Sequence, residues 1–502
     1  MVRFRSHIRE GKRATKSLNY RFVSAVIGIL CLLQVAFLAL ALGVSIYYHD
    51  QGQTPILVTM GMMLLAGITL VQIGRHSDDY HTGRRESMIT VTLSWFIVSV
   101  IGMLPYYLGG YAQTPADAFF ETISGFTTTG ASVLSDIESL PKSVLLWRSI
   151  TQWEGGIGII VFMVALVPMT GENAGRVFNN ETPGVTHERF TPRIGVMAKW
   201  LIGMYVVGTA MATLLFWVGP MSFFDATCHA LTSISTGGFS TRSTSISWWH
   251  SEYVETIAML FMLIGAINFT TLYFTIARKE PKRLGKDSEF KWFIALIAFF
   301  SITSAIALYS NNISAYSFWG ALRRSTFQVI SFITSTGFAV DDYNNWGPFF
   351  AIIAFLTMFI AGCSGSTSGG LKVARLEVLV KSLGVELRKR THPNAVIPVR
   401  ISGKALSADI VQQVATFAFA YTGLIIVGAL VISIEGYSFM ESFVGAVSCV
   451  SNSGGSLGQI GPMVGFGALS GATKIFLSIL MVMGRLEIFT LLTILHPSFW
   501  KN

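Results

Sequence analysis

Apolar residues crowd into ten stretches of the chain, near 22–48, 55–74, 88–110, 149–168, 194–219, 253–277, 291–309, 347–363, 408–434 and 471–495. Each comes close to the ~20 residues that a helix needs to cross the hydrocarbon core of a bilayer. The pattern predicts an all-α, polytopic membrane protein with about ten transmembrane helices. The first stretch is too long for a cleaved signal peptide, and no small-residue cleavage site follows it, so it is expected to stay as a helix.

Composition agrees: of 502 residues, 52% are hydrophobic and 13% charged. The formal charge of +9 changes the picture only through its placement. Arg3, Arg5, Arg9, Lys12, Arg13, Lys16 and Arg21 precede the first stretch, and Arg75, Arg84 and Arg85 follow the second. Arg176, Arg189, Arg193 and Lys199 fall in the 169–199 loop, and further basic residues cluster at 278–291 and 372–404. With Lys501, 29 of the 36 Lys and Arg residues lie on one face. That face is expected to be cytoplasmic, with both termini on it. The charge therefore reports topology and gives no footing for nucleic acid. Cys31, Cys228, Cys363 and Cys449 stand singly in apolar surroundings and are expected as buried thiols, neither disulfides nor metal ligands.

The segments between pairs of apolar stretches resemble one another. Phe119-Phe120-Glu121 leads to Thr127-Thr128-Thr129-Gly130, and Phe223-Phe224-Asp225 to Ser235-Thr236-Gly237-Gly238. Trp319 leads to Thr334-Ser335-Thr336-Gly337-Phe338, and Phe439-Met440-Glu441 to Ser451-Asn452-Ser453-Gly454-Gly455. Aligned on Gly130, Gly237, Gly337 and Gly454, the copies are 107, 100 and 117 residues apart. Each copy reads as helix, pore loop, helix. The expected organisation is an N-terminal arm with two extra helices (1–87), then four repeats over 88–170, 194–278, 290–384 and 405–502, arranged with pseudo-four-fold symmetry around one pore.

Non-helical backbone at membrane depth is tolerated where it lines a wet cavity. Carbonyl oxygens of such backbone can replace the hydration shell of a cation, glycine permits the required dihedrals, and Thr or Ser hydroxyls can add oxygens or pin the loop. A short helix before each loop would aim the negative end of its dipole at the pore. Glu121, Asp225 and Glu441 are expected to begin three of these helices, offsetting the positive end or attracting ions; the third copy has Arg323 and Arg324 instead. In Glu154-Gly155-Gly156-Ile157-Gly158, Gly156 and Gly158 read as packing glycines on a span.

These residues resemble the Trk, Ktr and HKT superfamily of potassium transporters, from about residue 88 to the end, and the two extra helices look like the bacterial TrkH and TrkG membrane subunits. The resemblance implies a K⁺ selectivity filter of Thr128, Thr129, Gly130, Ser235, Thr236, Gly237, Ser335, Thr336, Gly337, Asn452, Ser453 and Gly454. It implies an intramembrane gating loop over Gly362, Cys363, Ser364, Gly365, Ser366, Thr367, Ser368, Gly369 and Gly370, and a basic barrier, Arg485, below the filter. Gly455 stands where the family often has Pro. Further implications are a homodimer in a bacterial inner membrane, a cytosolic TrkA-type nucleotide-binding ring as partner, K⁺ and Rb⁺ as permeant ions, and no cofactor bound by this chain.

The expected function is K⁺ uptake through a gated, channel-like pore. Symport coupled to H⁺ or Na⁺ is the alternative, for which the intramembrane ionisable candidates Glu154 and Arg485 lie outside the loops. A polytopic membrane enzyme would need a reactive cluster. His76, His81, His392 and His496 are dispersed, and neither a His-Glu-x-x-His nor a Walker sequence occurs. Arg485 in mid-membrane requires acceptors, and Glu487, about 200° away around a helix, cannot share its face.

Overall fold

The computed structural model describes residues 18–75, 84–166, 194–276, 278–310, 316–461 and 464–500. The basic residues at positions 3–16, Arg176, Arg189, Arg193 and Lys501, and His76 and His81, lie outside the described residues. Seven helices among the described residues are long and apolar enough to cross a membrane: Tyr20–Tyr48, Gln53–Gly74, Arg85–Leu108, Lys199–Val218, Ser288–Ser310, Tyr343–Ile360 and Ala408–Ser433. Two further stretches are broken. Glu252–Ala266 turns by 103° into Phe269–Ile276, and Gly471–Arg485 by 115° into Phe489–Leu495. The remaining stretch lies on the helix Lys142–Leu166.

All ten apolar stretches thus sit on helix, but the described residues give seven continuous spans, or nine if each bent pair is one. The breaks have local causes. At the first, Asn268 Oδ1 accepts the Thr270 N–H at 2.8 Å and starts a new helix in another direction. At the second, Glu487 and Ile488 take φ of 57° and 53°, which no α-helix contains. An antiparallel pairing of Arg400–Ile401 with Lys404–Ala405, turned by Ser402 and Gly403, is a small departure from an all-α chain.

The first two helices pack closely on each other because glycines face the contact. A Cβ on Gly28 would lie 2.7 Å from the Val71 nitrogen, and one on Gly74 2.8 Å from Ala25 Cα. Outward positions such as Leu40, Leu65, Val218, Phe419 and Ile434 are exposed apolar side chains, as acyl chains require of a lipid-facing surface.

Four short helices, Pro115–Phe126, Phe223–Ile234, Phe318–Ile333 and Phe439–Ser451, have 12, 12, 16 and 13 residues. At ~1.5 Å per residue none is long enough to cross. Each is started by a hydroxyl cap: Thr114, Ser222, Ser317 and Ser438 accept the N–H of Asp117, Asp225, Gly320 and Glu441 at 3.2, 3.1, 3.2 and 3.4 Å. Their neighbours run in a cycle. Lys142–Leu166 packs on the second short helix, Glu252–Ala266 on the third, Gly347–Ile360 on the fourth, and Gly471–Arg485 returns to the first.

Candidate functional site

Each short helix ends in a buried loop of the same backbone shape. Thr128, Thr236, Ser335 and Asn452 take left-handed φ of 56°, 52°, 54° and 55°, and two residues later Gly130, Gly238, Gly337 and Gly454 take φ of 80°, 79°, 86° and 67°. Between them stand Thr129, Gly237, Thr336 and Ser453. Their N–H groups turn back onto the carbonyls of Ser124, Thr232, Ser331 and Ser448 at 2.9, 2.9, 2.8 and 2.9 Å. Helix-terminal acceptors are thereby satisfied, and the four middle carbonyls face the neighbouring loops.

Those carbonyls close a ring. A Cβ on Gly130 would strike the Gly237 oxygen, one on Gly238 the Thr336 oxygen, one on Gly337 the Ser453 oxygen and one on Gly454 the Thr129 oxygen. Only glycine allows both this approach and the positive φ. Four carbonyl oxygens drawn together at the negative ends of four helices can take the place of water around a dehydrated cation.

Side chains brace the ring from behind. Hydroxyl pairs Thr127–Thr129, Thr334–Thr336 and Ser451–Ser453, at 2.7, 2.7 and 3.0 Å, lash three loops. The second loop has Gly237 in place of a hydroxyl and is held by Gln152, whose Nε2 donates to the Gly237 carbonyl at 2.7 Å and whose Oε1 accepts the Phe239 N–H at 2.9 Å. Nine residues before each left-handed glycine of the first three loops stands another brace. Glu121 accepts from Arg148 Nε at 2.8 Å and from the Val133 N–H at 3.0 Å. His229 donates from Nδ1 to the Asp225 carbonyl at 2.8 Å, with Nε2 2.9 Å from Ser240 Oγ, and Gln328 Nε2 donates to the Phe338 carbonyl at 3.1 Å.

The Gly- and Ser-rich segment follows the helix end at Ile360 and runs beneath the loops. Thr367 Oγ1 is 3.0 Å from Thr236 Oγ1, and the Gly369 N–H donates to Ser335 Oγ at 2.8 Å. The N–H groups of Cys363 and Thr367 donate to the carbonyls of Ala266 and Gly265 at 3.0 and 3.2 Å. From below, the buried Glu289 carboxylate accepts the N–H of Ser364 at 2.6 Å and of Ala374 at 3.1 Å, clamping both ends of the segment. Arg485 closes it from the side. Nη1 donates to the Thr367 carbonyl at 2.7 Å, and Nη2 to the carbonyls of Gly155 and Gly156, the latter at 3.2 Å. Glu487 pairs with Arg375, so the two neighbours do serve different partners.

All the residues expected for a filter lie in these loops, and Gly362–Gly370 with Arg485 lies directly below them. Three sequence expectations need correction. The backbone equivalent of Gly130, Gly337 and Gly454 is Gly238, and Gly237 matches Thr129: Gly130, Gly238 and Gly337 each stand four residues past their helix ends at Phe126, Ile234 and Ile333. Glu121 does not begin its helix. That place belongs to Asp117, which forms a capping box with Thr114 and pairs with Lys474 at 2.5 Å. With this register, Asp117, Asp225 and Glu441 each stand 13 residues before the left-handed glycine, and Arg324 occupies the same place in the third copy. Gly158 is not a packing glycine on a continuous helix: φ 76° and ψ 158° break the span there, while Gly156 does pack, against Tyr205 and Ser235. Gln152, Glu289 and Lys474 were not singled out by sequence. Polar side chains inside apolar stretches were the available signal for Gln152 and Lys474.

Arg148 and Glu121 are 1% and 0% exposed, so each depends on the other. Arg148→Leu is expected to destabilise the protein by about 3–5 kcal/mol, because it strands a buried carboxylate. Arg324→Leu breaks a pair that is 26% and 25% exposed and should cost at most about 1 kcal/mol. Thermal melts of the purified variants compare the two, and equal shifts would contradict the assigned burial.

A family model described as TrkH, cation transport protein, matches residues 55–501. The Trk system potassium uptake protein TrkH of Vibrio parahaemolyticus is 33% identical over 490 residues, covering 97% of this chain and 100% of the relative. TrkI of Halomonas elongata is 34% identical over 498 residues, at 98% and 99% coverage. TrkG of Escherichia coli is 33% identical over 420 residues, at 83% and 86%. The crystal structure of the potassium transporter TrkH from Vibrio parahaemolyticus superposes with a TM-score of 0.86 at 31% identity, over 96% of this chain and all of that one.

Proposed function

Because this chain belongs to the TrkH family of cation transport proteins, we propose that it takes K⁺ into the cell through one gated, channel-like pore, as the membrane subunit of a Trk-type system. It is a transporter and not an enzyme. The observation that carries the reading is the closed cycle in which each loop glycine lies against the middle carbonyl of the next loop.

In this reading 88–170, 194–278, 290–384 and 405–502 are four helix–pore loop–helix units with pseudo-four-fold symmetry, and 1–87 lies outside them. The filter comprises Thr128–Gly130, Ser235–Gly238, Ser335–Gly337 and Asn452–Gly454, with K⁺ held by the oxygens of Thr129, Gly237, Thr336 and Ser453. Gly362–Gly370 is the gate, tied shut by Arg485. The basic face with both termini is cytoplasmic, the membrane is a bacterial inner membrane, and two copies pair. A cytosolic ring of nucleotide-binding domains docks on the basic face and works the gate. Channel-like passage is favoured over symport because the candidates for coupling, Glu154 and Arg485, lie outside the four loops, and Glu121, on the helix that leads into the first of them, is committed to Arg148.

Purified protein in liposomes should pass K⁺ and Rb⁺ in preference to Na⁺ and Li⁺ under an imposed gradient, and equal flux of all four ions would overturn the reading. Deleting Gly365–Ser368 removes the Thr367 contacts to Gly265, Thr236 and Arg485 together. Basal K⁺ flux should then rise several-fold without the cytosolic partner, and unchanged flux from the stably inserted deletion would remove this segment from the role of gate.

A further inference from the structure

On the span Lys142–Leu166, one residue before the glycines that anchor Arg485, stands Glu154, 4% exposed. It faces a cavity between this span, the first helix and the third. Leu30 and Leu33 of the first helix, Trp95 and Val98 of the third and Phe126 at the end of the first short helix line that cavity. The polar groups offered there are Gln34, 6% exposed, whose Nε2 donates to Glu154 Oε2, and the Trp95 indole Nε1, which among the described residues has no hydrogen-bond partner. Among the described residues, Glu154 Oε1 and Gln34 Oε1 have no hydrogen-bond partner.

Both of those oxygens are acceptors as long as Glu154 is a carboxylate. Among the described residues, no Lys, Arg or His lines the cavity from any of the elements around it. On the span itself Arg148 is engaged by Glu121 and the Ser240 carbonyl, while Arg485, at the end of Gly471–Arg485, is engaged by the carbonyls of Thr367, Gly155 and Gly156. A carboxylate in such a setting is costly, and uptake of a proton is the ordinary remedy. One proton on Glu154 Oε1 turns an acceptor into a donor directed at an amide oxygen. The carboxylic acid and the amide then exchange two hydrogen bonds, Nε2–H to Oε2 and Oε1–H to the Gln34 carbonyl oxygen, and both orphaned atoms are satisfied.

We propose that Glu154 and Gln34 form a proton-binding pair through which pH acts on the inner tie made by Arg485. With the proton bound, the pair is neutral and docks the first helix against the span, leaving the Gly155 and Gly156 carbonyls to hold the guanidinium. When the proton leaves to solvent, a carboxylate appears one residue from those carbonyls and competes for Arg485. Thr367 then loses its tether, and flux rises on alkalinisation. The flux part rests on the reading of this protein as a K⁺ pathway; the protonation part does not.

Infrared spectra of the protein in liposomes, recorded from mildly acidic to alkaline pH alongside K⁺ flux, test both parts. The wild type should show a carboxylic-acid C=O band at neutral pH that shifts in D₂O and fades on alkalinisation, with flux rising over the same interval. Glu154→Gln, which keeps two amide hydrogen bonds to Gln34, should lack the band and lose the pH response. Gln34→Leu should retain the band at higher frequency, since the acid has lost its amide partner. Absence of a band assignable to Glu154 at neutral pH, a band unmoved by Gln34→Leu, or a flux response that persists in Glu154→Gln overturns the proposal. Wild-type liposomes that pass no K⁺ at any pH while the band titrates would count against the transport reading and leave the proton-binding pair standing.

Discussion

Gly238→Ala should lose K⁺ over Na⁺ discrimination by about tenfold or more in reconstituted flux, and Gly237→Ala, its immediate neighbour, should lose less. At Gly238 the backbone sits at φ 79° and a Cβ would collide with the Thr336 carbonyl oxygen, a fixed atom of the ring. The left-handed conformation alone costs an alanine roughly 1–2 kcal/mol, and 1.4 kcal/mol is a factor of ten. At Gly237 the collision is with the Gln152 side chain, which can rotate, although it would give up its bonds to Gly237 and Phe239 in doing so. Paired Rb⁺ and Na⁺ flux measurements on the two variants decide the matter. A larger loss at Gly237 would mean that the second loop has been placed in the wrong register.

Arg485→Ala should raise K⁺ flux at least tenfold. The guanidinium joins three parts of the chain, with Thr367 on one side and Gly155 and Gly156 on the other. A hydrogen bond to a charged donor contributes about 1.5–3 kcal/mol, so losing even one of them shifts a closed–open equilibrium by the stated factor. Removing the charge also lowers any repulsion met by a cation arriving from the ring above. Arg485→Lys separates these effects, because a single ammonium keeps the charge but cannot span the same acceptors as a planar fork. If the tie dominates, the Lys variant conducts nearly as well as the Ala variant; if repulsion dominates, it stays near wild type. Reduced flux in a correctly inserted Ala variant would make Arg485 a purely structural residue.

Much of this was legible in the sequence because membranes make few demands and make them strongly. Ten apolar stretches found ten helical regions, and the four loops were visible because each ends in hydroxyl or amide followed by glycine. What was lost was register. Two consecutive glycines, Gly237 and Gly238, give no local signal for which takes positive φ; that is set by the end of the preceding helix at Ile234, four residues before Gly238, just as Phe126 stands four before Gly130. Two acids four residues apart, Asp117 and Glu121, competed for one helix start, and the apolar Phe119-Phe120 before Glu121 drew the alignment to the wrong one. Thr114-Pro115 just upstream is a stronger start signal, with a capping hydroxyl followed by proline in the first turn. The Arg485 acceptors could be anticipated as a class but not by name, since Gly155 lies 330 residues away in sequence. The same holds for Glu289, whose worth depends wholly on where the Gly- and Ser-rich segment comes to rest.

The ring of main-chain oxygens has a further consequence, for how such a protein can change over generations. Its atoms belong to the one group that all residues possess, so a mutation at Thr129, Gly237, Thr336 or Ser453 leaves the oxygen itself untouched and alters only the means of holding it. The chain already contains two solutions, paired hydroxyls in three loops and an amide reaching in from a neighbouring helix in the other. Loops built this way can drift apart in side chains and recruit new supports one at a time, each step reversible, while the glycines that let the loops meet are kept. Grafting the Gln152 solution onto a second loop, or a hydroxyl onto position 237, would retrace such a step in the laboratory.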